Sequence, residues 1–221
     1  MNIEPVAYFK SPLKEKFGIP RQSGLAPSLE GELHFVAPYD APEAVRGLEG
    51  FDYCWLIWGF SMNEPVSSLT VRPPRLGGNE RVGVFASRSP FRPNGLGLSC
   101  VRIKSVSAGV VVVSGADLAD GTPVYDVKPY VSYADSRPGA RSGFVDEHAW
   151  EPLEVIIPED VANSLSKSDI EAITEILKQD PRPRYQDDPE REYGLAYKDY
   201  NVKFSVSEGK LFVRLLESLH L

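Results

Sequence analysis

Short runs rich in apolar and β-branched residues, broken by glycine, proline and asparagine, recur along the first two thirds of the chain. That pattern predicts strands joined by turns. Ile3, Val6, Tyr8 and Phe9 mark a first strand over 3–10, and a second is expected over 31–36. Pro42 suits the first turn of a short helix over 41–48. Residues 51–60 are almost wholly apolar and aromatic, which predicts a strand buried on both faces or, on periodicity alone, a buried helix. Two runs, 98–107 and 110–118, flank Ala108-Gly109 and make the clearest hairpin. After a turn at Asp120-Gly121-Thr122-Pro123, Asp126, Lys128 and Tyr130 alternate along a strand and so share one face.

The pattern then changes. Residues 134–158 are rich in turn formers and read as a link. Ser168 and Glu171 make a capping box ahead of the apolar stripe Ile170, Ile173, Ile176 and Leu177, so a helix is expected over 168–179. Asp180-Pro181-Arg182-Pro183-Arg184 stops it. Tyr200, Val202, Phe204 and Val206 alternate before a Glu208-Gly209 turn, and Leu211, Val213 and Leu215 follow it as the second arm of a hairpin. The organisation is therefore mainly β with an α+β tail: one unit over 1–150 and a small one over 158–221. A tail of about 60 residues is marginal alone and should lean on the first unit or on a partner.

Composition narrows the class. Of 221 residues, 42% are hydrophobic and 25% charged, the balance of a soluble globular protein. The longest apolar run, near Trp55, is far short of the roughly 20 residues a membrane-spanning helix needs. The opening residues lack the basic and apolar regions of a signal peptide. Cys54 and Cys100 lie far apart in strand-like runs and read as reduced, buried thiols of a cytoplasmic protein. A net charge of −7 argues against indiscriminate nucleic-acid binding, although a local basic patch is compatible with it.

Chemistry concentrates between Gly83 and Ser99, where a strand breaks into Arg88-Ser89-Pro90-Phe91-Arg92-Pro93-Asn94 and then resumes. The prolines restrict the backbone beside Arg88 and Arg92, so two guanidinium groups are presented with little chain entropy left to lose. Such groups suit carboxylate or phosphate; a surface hairpin with solvated arginines has the same composition. No Cys-x-x-Cys pair occurs, and His34, His148 and His220 are dispersed, so no metal site is expected. Gly-x-Ser-x-Gly and Walker sequences are absent. Gly95-Leu96-Gly97-Leu98-Ser99-Cys100 starts like a dinucleotide fingerprint but lacks the third glycine and enters a strand. Binding, orientation and one proton transfer remain.

Gly83-Val84-Phe85-Ala86-Ser87-Arg88-Ser89-Pro90-Phe91-Arg92-Pro93-Asn94 resembles the TsaA-like, YaeB-type family of S-adenosylmethionine-dependent tRNA N6-methyltransferases. The likeness extends to Pro20-Arg21-Gln22, Arg72-Pro73-Pro74-Arg75-Leu76-Gly77-Gly78-Asn79, Asp120 to Pro123, Asp126-Val127-Lys128-Pro129-Tyr130 and the tail. It implies an N-terminal β-barrel in place of a Rossmann fold. It also implies a homodimer with S-adenosyl-L-methionine near the subunit interface, and threonylcarbamoyladenosine beside the tRNA anticodon as acceptor. Cofactor contacts would come from Pro20, Arg21, Gln22, Ser61, Met62, Arg88, Leu98, Asp120, Gly121, Thr122 and Pro123. Ser61 stands where many relatives have histidine, so a contact there would survive only if made through backbone. Asp126, Lys128 or Tyr130 would receive the N6 proton, with Asp126 favoured because it is ordinarily ionised at neutral pH. Arg72, Arg75, Arg92 and Asn94 would face RNA, joined by Arg81 and, in the tail, by Arg182 and Arg184. Two other classes share these features: an RNA-binding barrel without catalysis, and a small-molecule-binding barrel.

Overall fold

Eight β strands fall in the first unit: β1 (Ala7–Lys10), β2 (Glu30–Phe35), β3 (Tyr53–Gly59), β4 (Thr70–Val71), β5 (Val82–Gly83), β6 (Leu96–Ser107), β7 (Val110–Ser114) and β8 (Pro123–Pro129). In the computed structural model, which describes residues 3–64, 68–77, 80–148, 151–182 and 188–219, six of them close into a barrel in the order β1-β2-β7-β6-β3-β8. All its pairs are antiparallel, and Ala7 opposite Val124 closes the ring. Phe9, Leu33, Leu56, Val101, Val111 and Val124 fill the interior.

Period two is obeyed on β3, which corrects the expectation of a strand buried on both faces. Cys54, Leu56 and Trp58 point inward, whereas Tyr53, Trp55 and Ile57 lie on the outside of a single-layered wall. The outer aromatics find other cover: Tyr130 packs 6.2 Å from Tyr53 and 6.0 Å from Trp55, and the Trp55 indole donates to Asp135 at 3.0 Å. Cys54 is fully buried, and desolvation pushes its thiol up to about 12; Cys100, on the outer face of β6, is only partly covered. The helix expected over 41–48 is a single turn, Pro42–Val45. Gly47, at φ 90°, breaks it from a 3-10 turn at Leu48–Gly50.

The tail forms a sheet from β9 (Glu154–Ile156), β10 (Tyr193–Tyr197), β11 (Tyr200–Ser207) and β12 (Lys210–Ser218), ordered β10-β11-β12-β9. β9 lies within the stretch expected to be a link and pairs parallel with β12. The helix Lys167–Leu177 buries Ala172, Ile173, Ile176 and Leu177 against this sheet. Its cap is Ser166, whose hydroxyl accepts from the Asp169 N–H at 3.2 Å, two residues before the predicted Ser168. Glu208 and Gly209 both take positive φ at the β11–β12 turn, as a two-residue hairpin requires. Leu215 departs from the expected alternation: a bulge opposite Lys203 and Phe204 shifts the register there and leaves it 41% exposed.

Residues 13–29, although they precede β2, belong to the tail's core. Leu13, Ala26 and Leu29 are buried among Ile173, Leu195 and Phe204, with Phe17 and Ile19 packed beside them. Full burial of each leucine is worth about 1.5–3 kcal/mol. The Ser28 N–H and hydroxyl both donate to Glu175, at 2.7 and 3.0 Å, and the Lys198 N–H donates to the Pro12 carbonyl at 2.8 Å. The tail thus leans on the first unit through this bridging loop. Its own helix and sheet complete their core with side chains from near the other end of the chain.

Candidate active site

Trp58, opposite Gly97 in the β3–β6 register, anchors the site. A Cβ at position 97 would lie 2.3 Å from the indole, so glycine is what lets the ring lie flat against β6. From there Trp58 donates to the Ser99 hydroxyl at 2.9 Å, and Ser99 donates onward to Asp117. Phe60 meets Trp58 edge-on at 4.4 Å. Trp58, Phe60 and Asp117, together with Lys16 and Ile19 of the bridging loop, Ser61 to Asn63, Pro90, Ala119 and Thr122, line a cavity of about 220 Å³.

Asp117 supplies the cavity's acid. Burial pushes its carboxyl above the usual range, against the hydrogen bonds from Ser99 and the Ser23 backbone and the positive charge of Arg88. The Arg88 guanidinium donates to the Gln22 amide oxygen at 2.6 Å, bringing together two residues expected to hold cofactor. The Ser23 hydroxyl accepts from the Cys100 N–H at 3.2 Å, so the bridging loop is laced to β6 beside the cavity.

Of the residues expected to hold cofactor, Ser61, Met62 and Thr122 line the cavity, and Pro20 is buried one residue beyond Ile19. Arg21 reaches the tail, donating to the Asp180 carbonyl at 3.0 Å. Asp120 accepts from the Ser11 N–H at 2.9 Å and, with Gly121 bonded to the Phe9 carbonyl, fastens the turn before β8 to β1. Pro123 then opens β8. Leu98 lies apart, 57% exposed on the outer face of β6 opposite Ile57.

Asp126, Lys128 and Tyr130 share an outward face, as their spacing predicts, but none lines the cavity. Asp126 and Lys128 pair at 2.7 Å with both side chains well exposed. Among the arginines expected to face RNA, Arg72 is exposed, while Arg81 donates to the Thr70 hydroxyl at 2.8 Å. Arg75 donates to the His148 carbonyl at 3.2 Å, and Arg92 to the Ser87 carbonyl at 3.0 Å, holding the loop that carries Arg88. Asn94 sits at φ 63°, a left-handed position asparagine tolerates better than most residues. Arg182 binds Asp180 through two nitrogens, at 2.8 and 2.9 Å, with only 10% of its side chain exposed. Its guanidinium is therefore committed within the fold, and Arg184 lies outside the described residues.

Asp117, Trp58, Phe60 and Lys16 were not anticipated. The available signal was Asp117 itself, an acid at the end of the apolar run 110–118, where a carboxylate demands partners.

A closed non-Rossmann barrel with an α+β appendage is also the architecture of a solved enzyme class. The crystal structure of TrmO from Pseudomonas aeruginosa superposes with a TM-score of 0.82 at 35% identity, over 99% of this chain and 97% of that one. The tRNA-methyltransferase O N-terminal domain matches residues 8–136, and the TrmO C-terminal domain matches residues 150–219. The chain belongs to the tRNA-methyltransferase O family. It is 40% identical to the tRNA (adenine(37)-N6)-methyltransferase of Escherichia coli (strain K12), over 97% of each chain. A Pseudomonas aeruginosa relative, described as a putative S-adenosylmethionine-dependent methyltransferase RcsF, is 42% identical over 98% of this chain and 96% of its own.

Proposed function

We propose that this chain is an S-adenosylmethionine-dependent methyltransferase that adds a methyl group to N6 of the threonylcarbamoylated adenosine beside the tRNA anticodon, acting in the cytoplasm as a homodimer. The observation that carries this reading is the end-to-end likeness to the Escherichia coli enzyme, with both units matched. The donor set supports it. Trp58, Phe60 and Ile19 offer apolar faces for an adenine, and Arg88, Lys16 and Asp117 offer charge partners for an amino-acid group.

When bound, S-adenosylmethionine supplies a methyl group on a positively charged sulfur, a good leaving group. The residues of this chain then have three tasks: to hold donor and acceptor in line, to exclude water, and to take the N6 proton. Alignment falls to the bridging loop and to residues 120–123: Gly121 and Thr122 are fixed by backbone hydrogen bonds to Phe9 of β1, and the loop's Ser23 hydroxyl accepts from the Cys100 N–H of β6. Asp126, with Lys128 and Tyr130 beside it, is proposed as proton acceptor. These groups and Leu98 face away from the cavity of their own chain, and 220 Å³ falls below the roughly 300–1,000 Å³ of ordinary ligand sites. A homodimer accounts for both facts, because a second copy laid on the outer face would enlarge the cavity and bring that face into the site.

RNA would approach the neighbouring surface. β4 pairs with β5, and the Val84 N–H donates to the Leu69 carbonyl, so exposed Arg72 shares a surface with the segment leading to Phe85 and Arg88. Exposed Phe85 and Phe91 offer rings on which splayed bases can stack.

The test is methyl transfer to tRNA carrying the threonylcarbamoyl group, followed by mass spectrometry of the nucleosides. One added methyl on that nucleoside is expected. Transfer to some other acceptor, or RNA binding with no response to S-adenosylmethionine, overturns the reading. Arg72→Glu should weaken tRNA binding and lower the salt slope by about 1 if one phosphate contact is lost. An unchanged slope removes Arg72 from the RNA face.

A further inference from the structure

The Asp117 carboxylate and the Arg88 guanidinium are close enough to act on one another electrostatically, yet no ion pair joins them among the described residues. Each is held by neutral partners instead. Arg88 is tied to the Gln22 amide oxygen at 2.6 Å. Asp117 takes hydrogen bonds from the Ser99 hydroxyl and the Ser23 backbone, and Ser99 is itself fixed by the Trp58 indole at 2.9 Å. Asp117 lines the cavity, and Arg88 follows two residues before Pro90, which also lines it. Two opposite charges oriented by neutral groups, and kept from neutralising one another, form a receptor for a ligand that carries both charges.

We infer that Asp117 receives the α-ammonium of the bound cofactor while Arg88 receives its α-carboxylate, so that this pair selects for the zwitterionic amino-acid end. The assignment rests on the cofactor reading above and deepens it. The apolar walls strengthen it physically, because Trp58, Phe60 and Ala119 exclude water and raise the worth of an ammonium–carboxylate contact. Asp117 is otherwise a partly buried acid with no cation bonded to it among the described residues, an expensive arrangement for the fold alone.

Calorimetry with three ligands tests the pair: S-adenosylhomocysteine, its analogue with hydrogen in place of the α-ammonium, and methylthioadenosine, which lacks the amino-acid end. Asp117→Asn should weaken S-adenosylhomocysteine roughly 10- to 100-fold, as loss of one hydrogen bond to a charge does, and leave the deaminated analogue and methylthioadenosine unchanged. Ser99→Ala, which keeps the carboxylate but frees it, should produce a smaller loss of the same pattern. Equal affinity of wild type and Asp117→Asn for S-adenosylhomocysteine overturns the inference. So does an equal loss for all three ligands, which would mean that Asp117 only shapes the cavity. Normal binding with abolished methyl transfer would make Asp117 the base and also overturn it. If wild type binds none of the three, the cofactor reading itself fails.

Discussion

Gly18 sits where the bridging loop meets the tail, and replacing it with alanine tests whether that contact supports the structure. Its φ of 89° lies in the left-handed region, where a side chain costs about 1–2 kcal/mol. A Cβ there would also lie 2.1 Å from Leu195 Cδ1, and Leu195 is fully buried, so its methyl has little room to withdraw. Overpacking of this kind costs about 1–3 kcal/mol. Gly24 provides the control in the same loop: φ is 81°, but a methyl group at that position would meet nothing within 4 Å. Gly24→Ala should therefore carry the backbone cost alone, and Gly18→Ala should exceed it by about 1–3 kcal/mol in denaturant unfolding, or roughly 2–12 °C in melting temperature. Because the loop also carries Gln22 and Ser23 to Arg88 and Asp117, Gly18→Ala should weaken S-adenosylhomocysteine binding as well. Equal destabilisation by the two substitutions would refute the view that packing of this loop on the tail stabilises the protein.

Gly97→Ala should act on the site more than on stability. Its Cβ would meet the rigid Trp58 indole at 2.3 Å, so the ring must move and its bond to Ser99 must break, which shifted tryptophan fluorescence and a weakened nucleoside affinity would report. Asp169 sets an acid limit in the tail. Burial opposes its charge, but hydrogen bonds from Lys198 at 2.6 Å, Ser166 and Tyr197 at 2.8 Å hold its carboxyl below the usual range. A depressed folded-state pKa means stability that is present above the unfolded value near 3.9 and lost as pH falls through the folded one. Asp169→Asn should therefore cost about 1.5–3 kcal/mol at neutral pH, with the gap to wild type closing below about pH 4 in an acid titration of unfolding.

The strands and hairpins were legible because they depend on local patterns. Alternation on either side of the turns Ala108-Gly109 and Glu208-Gly209 gave the hairpins β6–β7 and β11–β12, although β7 stops at Ser114, short of the expected 118, and Leu215 falls out of step at the bulge. The stretch around Arg88, with Pro20 to Gln22 and Asp120 to Pro123, identified the family, but of the residues that line the cavity only Ser61, Met62 and Thr122 were among those expected to hold cofactor. What period two cannot report is which surface a face will meet. The aromatic run 51–60 reads as doubly buried, yet barrel closure turns Tyr53, Trp55 and Ile57 outward, and the same closure places Leu98 and Asp126 away from their own cavity.

The sequence alone therefore determined the β character, the apolar stripe of the tail helix and the terminal hairpin, since each is set by neighbours a few residues apart. Tertiary structure decided the rest, because it depends on contacts between distant residues. Glu175 receives Ser28 across 147 positions, Asp120 receives Ser11 across 109, and Ser99 reaches Asp117 only because β6 and β7 pair in one register. No local pattern encodes such distances; a carboxylate at position 117 becomes part of a site only when the closed barrel brings Trp58, Ser99 and Arg88 around it.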